Sequence, residues 1–164
     1  MTRDTIGRRT NPATDTDDID IVVLGSEHLS LTRADLDALS NVTRECTVTC
    51  ASGERTTATW TGVPIPDLLA CVTDPAATTH LRLLSDDGYC ACVGIVSAVD
   101  ALVAVVRDGE ELATVERYGT RVVGPDIDGE RSVKGVARIE TVALGADQVP
   151  DELETLSLDD PRYG

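Results

Sequence analysis

The sequence predicts an α+β domain, built mainly from short mixed β-strands with a few short helices. Three observations predict it. The apolar stretches are short and bounded by Gly, Asp, Asn or Pro, as strands between turns are. They do not alternate with helical stretches in a regular strand–helix order, which argues against a doubly wound parallel sheet. The interior must also be aliphatic, because 164 residues contain no Phe, one Trp and three Tyr. Branched aliphatic side chains suit a pleated, half-buried surface.

The elements follow in order. Residues 1–18 are rich in Thr, Asp, Arg and Pro without periodicity and read as a disordered leader. Ile19 to Leu24 is a short strand stopped by Gly25. From Ser30 to Leu39 the spacing predicts a helix, with Thr32 as N-cap, Asp35 three residues on, and Leu31, Leu36 and Leu39 as its apolar side. Arg44 to Ala51 alternates as a strand, turns at Ser52-Gly53-Glu54-Arg55, and returns as Thr56 to Trp60. Gly62-Val63-Pro64-Ile65-Pro66 punctuates the chain before a short helix at Asp67 to Ala70.

His80 to Ser85 is a strand, Asp86-Asp87-Gly88 a turn, and Tyr89 to Val96 a strand leading to a short helix around Ala98 to Ala101. Leu102 to Arg107 reads as a buried strand closed by Asp108-Gly109. Arg121 to Val123 and Val133 to Val142 complete the strands. The domain therefore spans residues 19–146, and residues 147–164 form an acidic, loop-like C-terminal tail.

Charge narrows the function classes. Asp and Glu number 29 against 14 Lys and Arg, a net charge of -15, and Lys134 is the only lysine. An acidic surplus with almost no lysine fits a halophilic protein, since molar salt screens the self-repulsion. A nucleic-acid partner is excluded, because no basic patch could neutralise phosphates at useful density. No apolar run approaches the roughly 20 residues a bilayer demands, so no membrane partner is expected either. Without an apolar segment after Arg8 and Arg9 there is no export signal, and the expected location is cytoplasmic. Five cysteines cannot all pair internally, which agrees with reduced thiols.

The ordered series IVVLG, LSLTRADLDAL, TVTCASGER, TWTGVPIPDLL, LRLLSDDGY, ALVAVVRDGEEL, YGTRVVGPD and RSVKGVARIE resembles the sulfite oxidase family and its molybdopterin-binding relatives over about three quarters of the chain. The resemblance implies the sulfite-oxidase-type molybdopterin-binding fold. It implies molybdopterin as cofactor, with Cys50 as thiolate ligand to molybdenum. A soft thiolate suits a high-valent metal that exchanges oxygen atoms elsewhere. Trp60-Thr61-Gly62 matches the family's tryptophan-glycine turn, and Asp87-Gly88-Tyr89 its DGY turn. Arg121 and Lys134 match positions that meet the pterin phosphate or the substrate anion. Arg8, Arg9 and Asn11 stand where upstream cofactor contacts would lie.

Arg55, just after the Ser52-Gly53 turn, could face an anion at the metal or simply the solvent, and Tyr89 could donate a hydrogen bond near the metal or pack in the core. The implied reaction is two-electron oxygen-atom transfer on a small oxyanion or oxo-substrate, sulfite-like or sulfoxide-like, with an electron-transfer partner. The loop from Ala51 to Thr59 is short for the family. It motivates an alternative: a trimmed, non-catalytic relative of the same fold that binds a small anion or a protein.

Cys46, Cys71, Cys90 and Cys92 read as core residues. A four-cysteine zinc site is imaginable from Cys46, Cys50, Cys90 and Cys92, but their spacing lacks the Cys-x2-Cys knuckle. His28 and His80 fit no ligand pattern and read as surface or capping residues. Asp86 and Asp87 read as turn builders, and no Ser-His-Asp arrangement or phosphate-cradling glycine loop is present.

Overall fold

Among the described residues, two five-stranded sheets divide the aliphatic strands between them. The computed structural model describes residues 21–49, 52–72 and 78–156. The first sheet has the order β2 (His28–Leu31), β1 (Ile21–Leu24), β10 (Val136–Val142), β5 (His80–Ser85) and β6 (Cys90–Gly94). β1 and β10 run parallel, and the other pairs are antiparallel.

The second sheet has the order β3 (Val42–Thr49), β4 (Arg55–Pro64), β7 (Leu102–Arg107) and β8 (Glu110–Glu111). β9 (Arg121–Val123) pairs with β7 in register with Leu102–Ala104. Asp108 and Gly109, both at positive φ (51° and 83°), make the tight turn from β7 to β8.

Strand alternation sends one set of side chains between the sheets. Ile21, Val23, Leu81, Leu83, Val93 and Ile139 from the first sheet meet Val63, Val103, Val105 and Val122 from the second, all buried. Burying each Leu or Ile contributes about 1.5–3 kcal/mol, so this interface supplies most of the stability. A smaller cluster on the far face of the second sheet gathers Cys46, Val48, Ala58, Trp60, Leu102, Ala104 and Val123. It is capped by Leu112 of helix α4 (Leu112–Val115).

Helix α1 (Arg33–Ala38) begins at Thr32, whose hydroxyl accepts from the Asp35 amide while Asp35 accepts from the Thr32 amide. This is the reciprocal capping arrangement the sequence predicts. Strands β5, β7 and β9 have the predicted bounds. Four differences have local causes. The start of the predicted first helix is instead β2, because four residues pair with β1. β4 runs through the predicted punctuation to Pro64, with a register shift at Thr61/Gly62 that bends it along β7. Helices α2 (Ile65–Leu69) and α3 (Ile95–Ala98) start earlier than predicted, each directly after a strand. β10 begins at Val136, because Gly135 at φ 71° breaks the strand.

Cys71 is a correction: it is exposed rather than core. It lies four residues after Asp67 and its Sγ donates to the Asp67 carbonyl at 3.5 Å, on the outer side of the turn whose inner side holds Leu68, Leu69 and Val72.

The segment assigned to the acidic tail is docked as far as the structure describes it. A 3-10 turn at Pro150–Leu153 precedes Thr155, which pairs with Cys90 through hydrogen bonds of 2.7 and 3.0 Å. Residues 1–18, including Arg8, Arg9 and Asn11, lie outside the described residues, as do 157–164. No described helix is long and apolar enough to cross a membrane.

Candidate functional site

The β3–β4 hairpin and the loop that follows β9 face each other across an open cleft of about 470 Å³. The hairpin contributes Thr47, Thr49 and Arg55, and the loop contributes Pro125, Asp126, Ile127 and Asp128. Alternation explains the hairpin side. Cys46 and Val48 turn into the Trp60 cluster, which leaves Thr47 and Thr49 on the opposite face. Thr49 pairs with Arg55 and Thr47 with Thr57, whose hydroxyls meet at 2.7 Å.

The loop side is a closed excursion. Arg121 and Lys134 pair in an isolated antiparallel bridge at its base, and the Val122 amide donates to the Val133 carbonyl at 3.1 Å. Inside the closure, the Ser132 hydroxyl donates to the Val122 carbonyl at 2.6 Å and receives the Arg121 Nε–H at 2.9 Å. Ile127 plugs the loop into the main core. Asp128 caps the 3-10 turn Gly129–Arg131 and pairs with the Arg131 guanidinium at 2.9 Å.

The predicted site residues fall in three places around the cleft and this loop. Arg55 lines the cleft and is exposed. Arg121 is buried, 7% exposed, with its guanidinium 5.9 Å from the Trp60 ring centre and its Nε–H committed to Ser132. Arg107 lies over the same ring, also at 5.9 Å. Two cations on one indole are favourable because the ring faces carry negative charge. Burial raises the Tyr118 phenol, whose oxygen shares a hydrogen bond with Arg121. Lys134 stands beside Arg121 in the bridge and is half-buried.

Tyr89 is buried, and its hydroxyl donates to the Glu130 carbonyl at 2.6 Å beneath the loop. The structure thus joins Arg121 with Lys134 and links Tyr89 to the same loop, but it gathers no single constellation of all four. Cys50 lies outside the described residues; Thr49, which precedes it in sequence, is the last described residue of that strand.

The cleft is of mixed charge. Asp126 and Asp128 face Arg55 across it. Only Asp128 carried a sequence signal, as an acidic residue three before Arg131 that could cap a turn; its place on a cleft wall depends on the distant Arg121–Lys134 closure. The volume suits a small organic ligand. An anionic end would find the Arg55 guanidinium and threonine hydroxyls, and ring N–H groups would find the two carboxylates. A pterin with a phosphate-bearing side chain has both features, so the residues present fit that group.

The remaining candidates are structural. The Asp87 carboxylate accepts from the Ser85 hydroxyl and from the Tyr89 amide at 3.2 Å, which fixes the turn closed by Gly88 at φ 100°. Cys46, Cys90 and Cys92 are buried, and desolvation raises all three thiols, Cys92 to about 11 with the Glu154 carboxylate adding to the effect. Among the described residues no group of three or more His, Cys, Asp or Glu could hold a metal ion. His28 is exposed and His80 half-buried, its Nδ1 3.0 Å from the Thr79 hydroxyl.

The family described as the oxidoreductase molybdopterin binding domain matches residues 9–148. The sulfane dehydrogenase SoxCD from Paracoccus pantotrophus is similar in fold, with a TM-score of 0.70 at 20% identity over 79% of this chain. The chain spans only 39% of that protein's length. None of the curated proteins matches it.

Proposed function

This chain belongs to the oxidoreductase molybdopterin binding domain family, and from that premise we propose that it transfers an oxygen atom to or from a small oxo-substrate, sulfite-like or sulfoxide-like. Molybdopterin is the cofactor of that family. The observation that carries the reading is the mixed-charge cleft, whose wall ends at Thr49, immediately before Cys50 in sequence. When bound, the cofactor supplies two-electron oxygen-atom chemistry, and the chain supplies its binding and electrostatics.

In this proposal Cys50 gives its thiolate to molybdenum. Arg55 draws an anionic end to the hairpin side of the cleft, where the Thr47 and Thr49 hydroxyls can donate to it. Asp126 and Asp128 accept from the pterin's N–H groups on the loop side. Arg121 acts mainly through others: its Nε is spent on Ser132 and its plane on Trp60, so it holds the loop base on which Lys134 stands. Lys134, whose position matches the family's late lysine, would meet the phosphate or substrate anion beside Arg55. Tyr89 supports the loop through Glu130.

Each turnover exchanges two electrons, released when the substrate gains an oxygen atom and consumed when it loses one, so the proposal includes an electron-transfer partner. It also keeps the halophilic, cytoplasmic setting. The non-catalytic alternative is not favoured, since the family match spans residues 9–148.

The test is a screen of the loaded chain, at molar salt, against sulfite, sulfoxides and related oxo-compounds with artificial electron carriers. Turnover of at least one compound, lost in Cys50→Ala, is expected. A loaded chain inert toward the whole set would overturn the reaction class.

A further inference from the structure

One wall of the cleft is tied to the C-terminal segment by an ion pair. Arg131 sits at its centre. Its Nη1 meets Asp128 Oδ2 at 2.9 Å, and its backbone amide donates to Asp128 Oδ1 at 3.1 Å. Its other edge faces Glu154, with Nε to Oε2 at 2.7 Å and Nη2 to Oε1 at 2.8 Å. Glu154 Oε2 also accepts the Cys92 amide at 2.8 Å, and the Glu154 side chain is only 5% exposed. The segment that carries it is anchored separately: Thr155 pairs with Cys90, and the Cys90 thiol and Arg82 Nε both donate to the Leu153 carbonyl, at 3.2 and 3.4 Å.

We propose that Glu154 is a positioning residue for the cleft: by gripping Arg131 at two points it fixes the wall that Asp128 presents to the ligand. The inference rests on the reading that this cleft takes the cofactor. A guanidinium is planar and presents donors along two edges, so fixing one edge orients the other. Here one edge is fixed by a carboxylate anchored on β6, and the opposite edge carries Asp128. Because the Glu154 carboxylate side chain is only 5% exposed, molar salt screens this pair far less than a surface pair. The grip therefore suits the halophilic setting proposed for this chain of net charge -15. Without it, the loop between the Arg121–Lys134 bridge and Asp128 keeps Ile127 and the Tyr89 hydrogen bond, but Arg131 loses its orienting partner.

Glu154→Gln tests this in the full chain, since glutamine keeps the shape and an acceptor for the Cys92 amide while removing the charge. Glu111→Gln is the comparison, because Glu111 pairs with Arg33 of helix α1, away from Arg131 and from the segment that carries Glu154. Amide hydrogen exchange at molar salt is expected to quicken about tenfold in peptides covering 124–131 of Glu154→Gln, with β5 and β7 unchanged. Glu111→Gln should leave 124–131 as it is. An unchanged loop, or equal quickening throughout the chain, would overturn the proposal.

The same variant, made in a host that synthesises molybdopterin, should hold the pterin about tenfold more weakly, read as fluorescence of the oxidised pterin it releases. Full retention beside a loosened loop would overturn the positioning role. If the unaltered chain carries no pterin, the cofactor reading fails, while the exchange data still decide whether Glu154 holds the wall.

Discussion

Arg121 and Lys134 pair across a single antiparallel bridge, and that contact closes the loop forming one wall of the cleft. The closure is reinforced from inside, where Arg121 Nε donates to Ser132 Oγ and Ser132 Oγ donates to the Val122 carbonyl. Two cations side by side repel, so their placement needs compensation. The Trp60 ring face and the Tyr118 oxygen supply it for Arg121.

Arg121→Lys should therefore destabilise the fold while preserving its charge. A lysine cannot reproduce the Nε–H bond to Ser132 or lie flat on Trp60. A hydrogen bond from a charged group is worth about 1.5–3 kcal/mol, so a loss of about 2 kcal/mol is expected. Urea unfolding at fixed molar salt measures it, through a lower midpoint at unchanged slope. An unchanged midpoint would mean that the buried guanidinium contributes nothing beyond its charge.

Gly62→Ala should be among the most damaging single changes in the second sheet. A Cβ there would collide with the Val103 carbonyl and come within 2.5 Å of the Ala104 Cα, both backbone groups of the neighbouring strand β7. Overpacking usually costs about 1–3 kcal/mol, and backbone that cannot yield puts this site at or above the top of that range. Thermal unfolding of the variant should show it, and a midpoint within 2 °C of the parent's would contradict it.

Much of this fold was legible in the sequence, and the reasons are local. β5, β7 and β9 are aliphatic runs bounded by turn residues, and their bounds agree with prediction. Thr32 and Asp35 announced the helix start because capping is a contact across three residues. β2 was not legible: four residues, His28 to Leu31, with no pattern of their own become a strand only because β1 lies beside them. Gly62 reads as punctuation in one dimension, yet in three it is the point where two backbones approach. At the site, Arg55 could be singled out by its turn. Asp126, Arg131 and Glu154 could not, since their roles depend on a loop closure and a C-terminal docking that join residues far apart in sequence.

The cysteines give a prediction in reactivity. At pH 8 in the native state, iodoacetamide should label Cys71, which is exposed, far faster than Cys46, Cys90 or Cys92, which are buried. For Cys92 the thiolate fraction alone is about a hundredfold below that of a thiol at the ordinary value of 9.0, because its own value is about 11. Peptide mapping by mass spectrometry at several labelling times measures the order. Rapid labelling of Cys92 would contradict its burial beneath the C-terminal segment.

The same shift carries a pH dependence. The unfolded chain loses the Cys92 proton near 9.0 and the folded chain near 11. Between those values the unfolded state binds fewer protons, so the contribution to stability is complete below 9 and falls as the pH rises toward 11. Urea midpoints at pH 8, 9 and 10 should decline more steeply in the parent chain than in Cys92→Ala. Parallel declines would rule Cys92 out as a source of the alkaline loss.

The proposed function requires this chain to hold molybdopterin with Cys50 on the metal. Molybdenum content decides this, measured by plasma mass spectrometry on protein made in a salt-in host that synthesises the cofactor. Near-stoichiometric molybdenum in the parent chain, lost or sharply reduced in Cys50→Ala, is the predicted result. No molybdenum in either protein, with both chains folded, would contradict it.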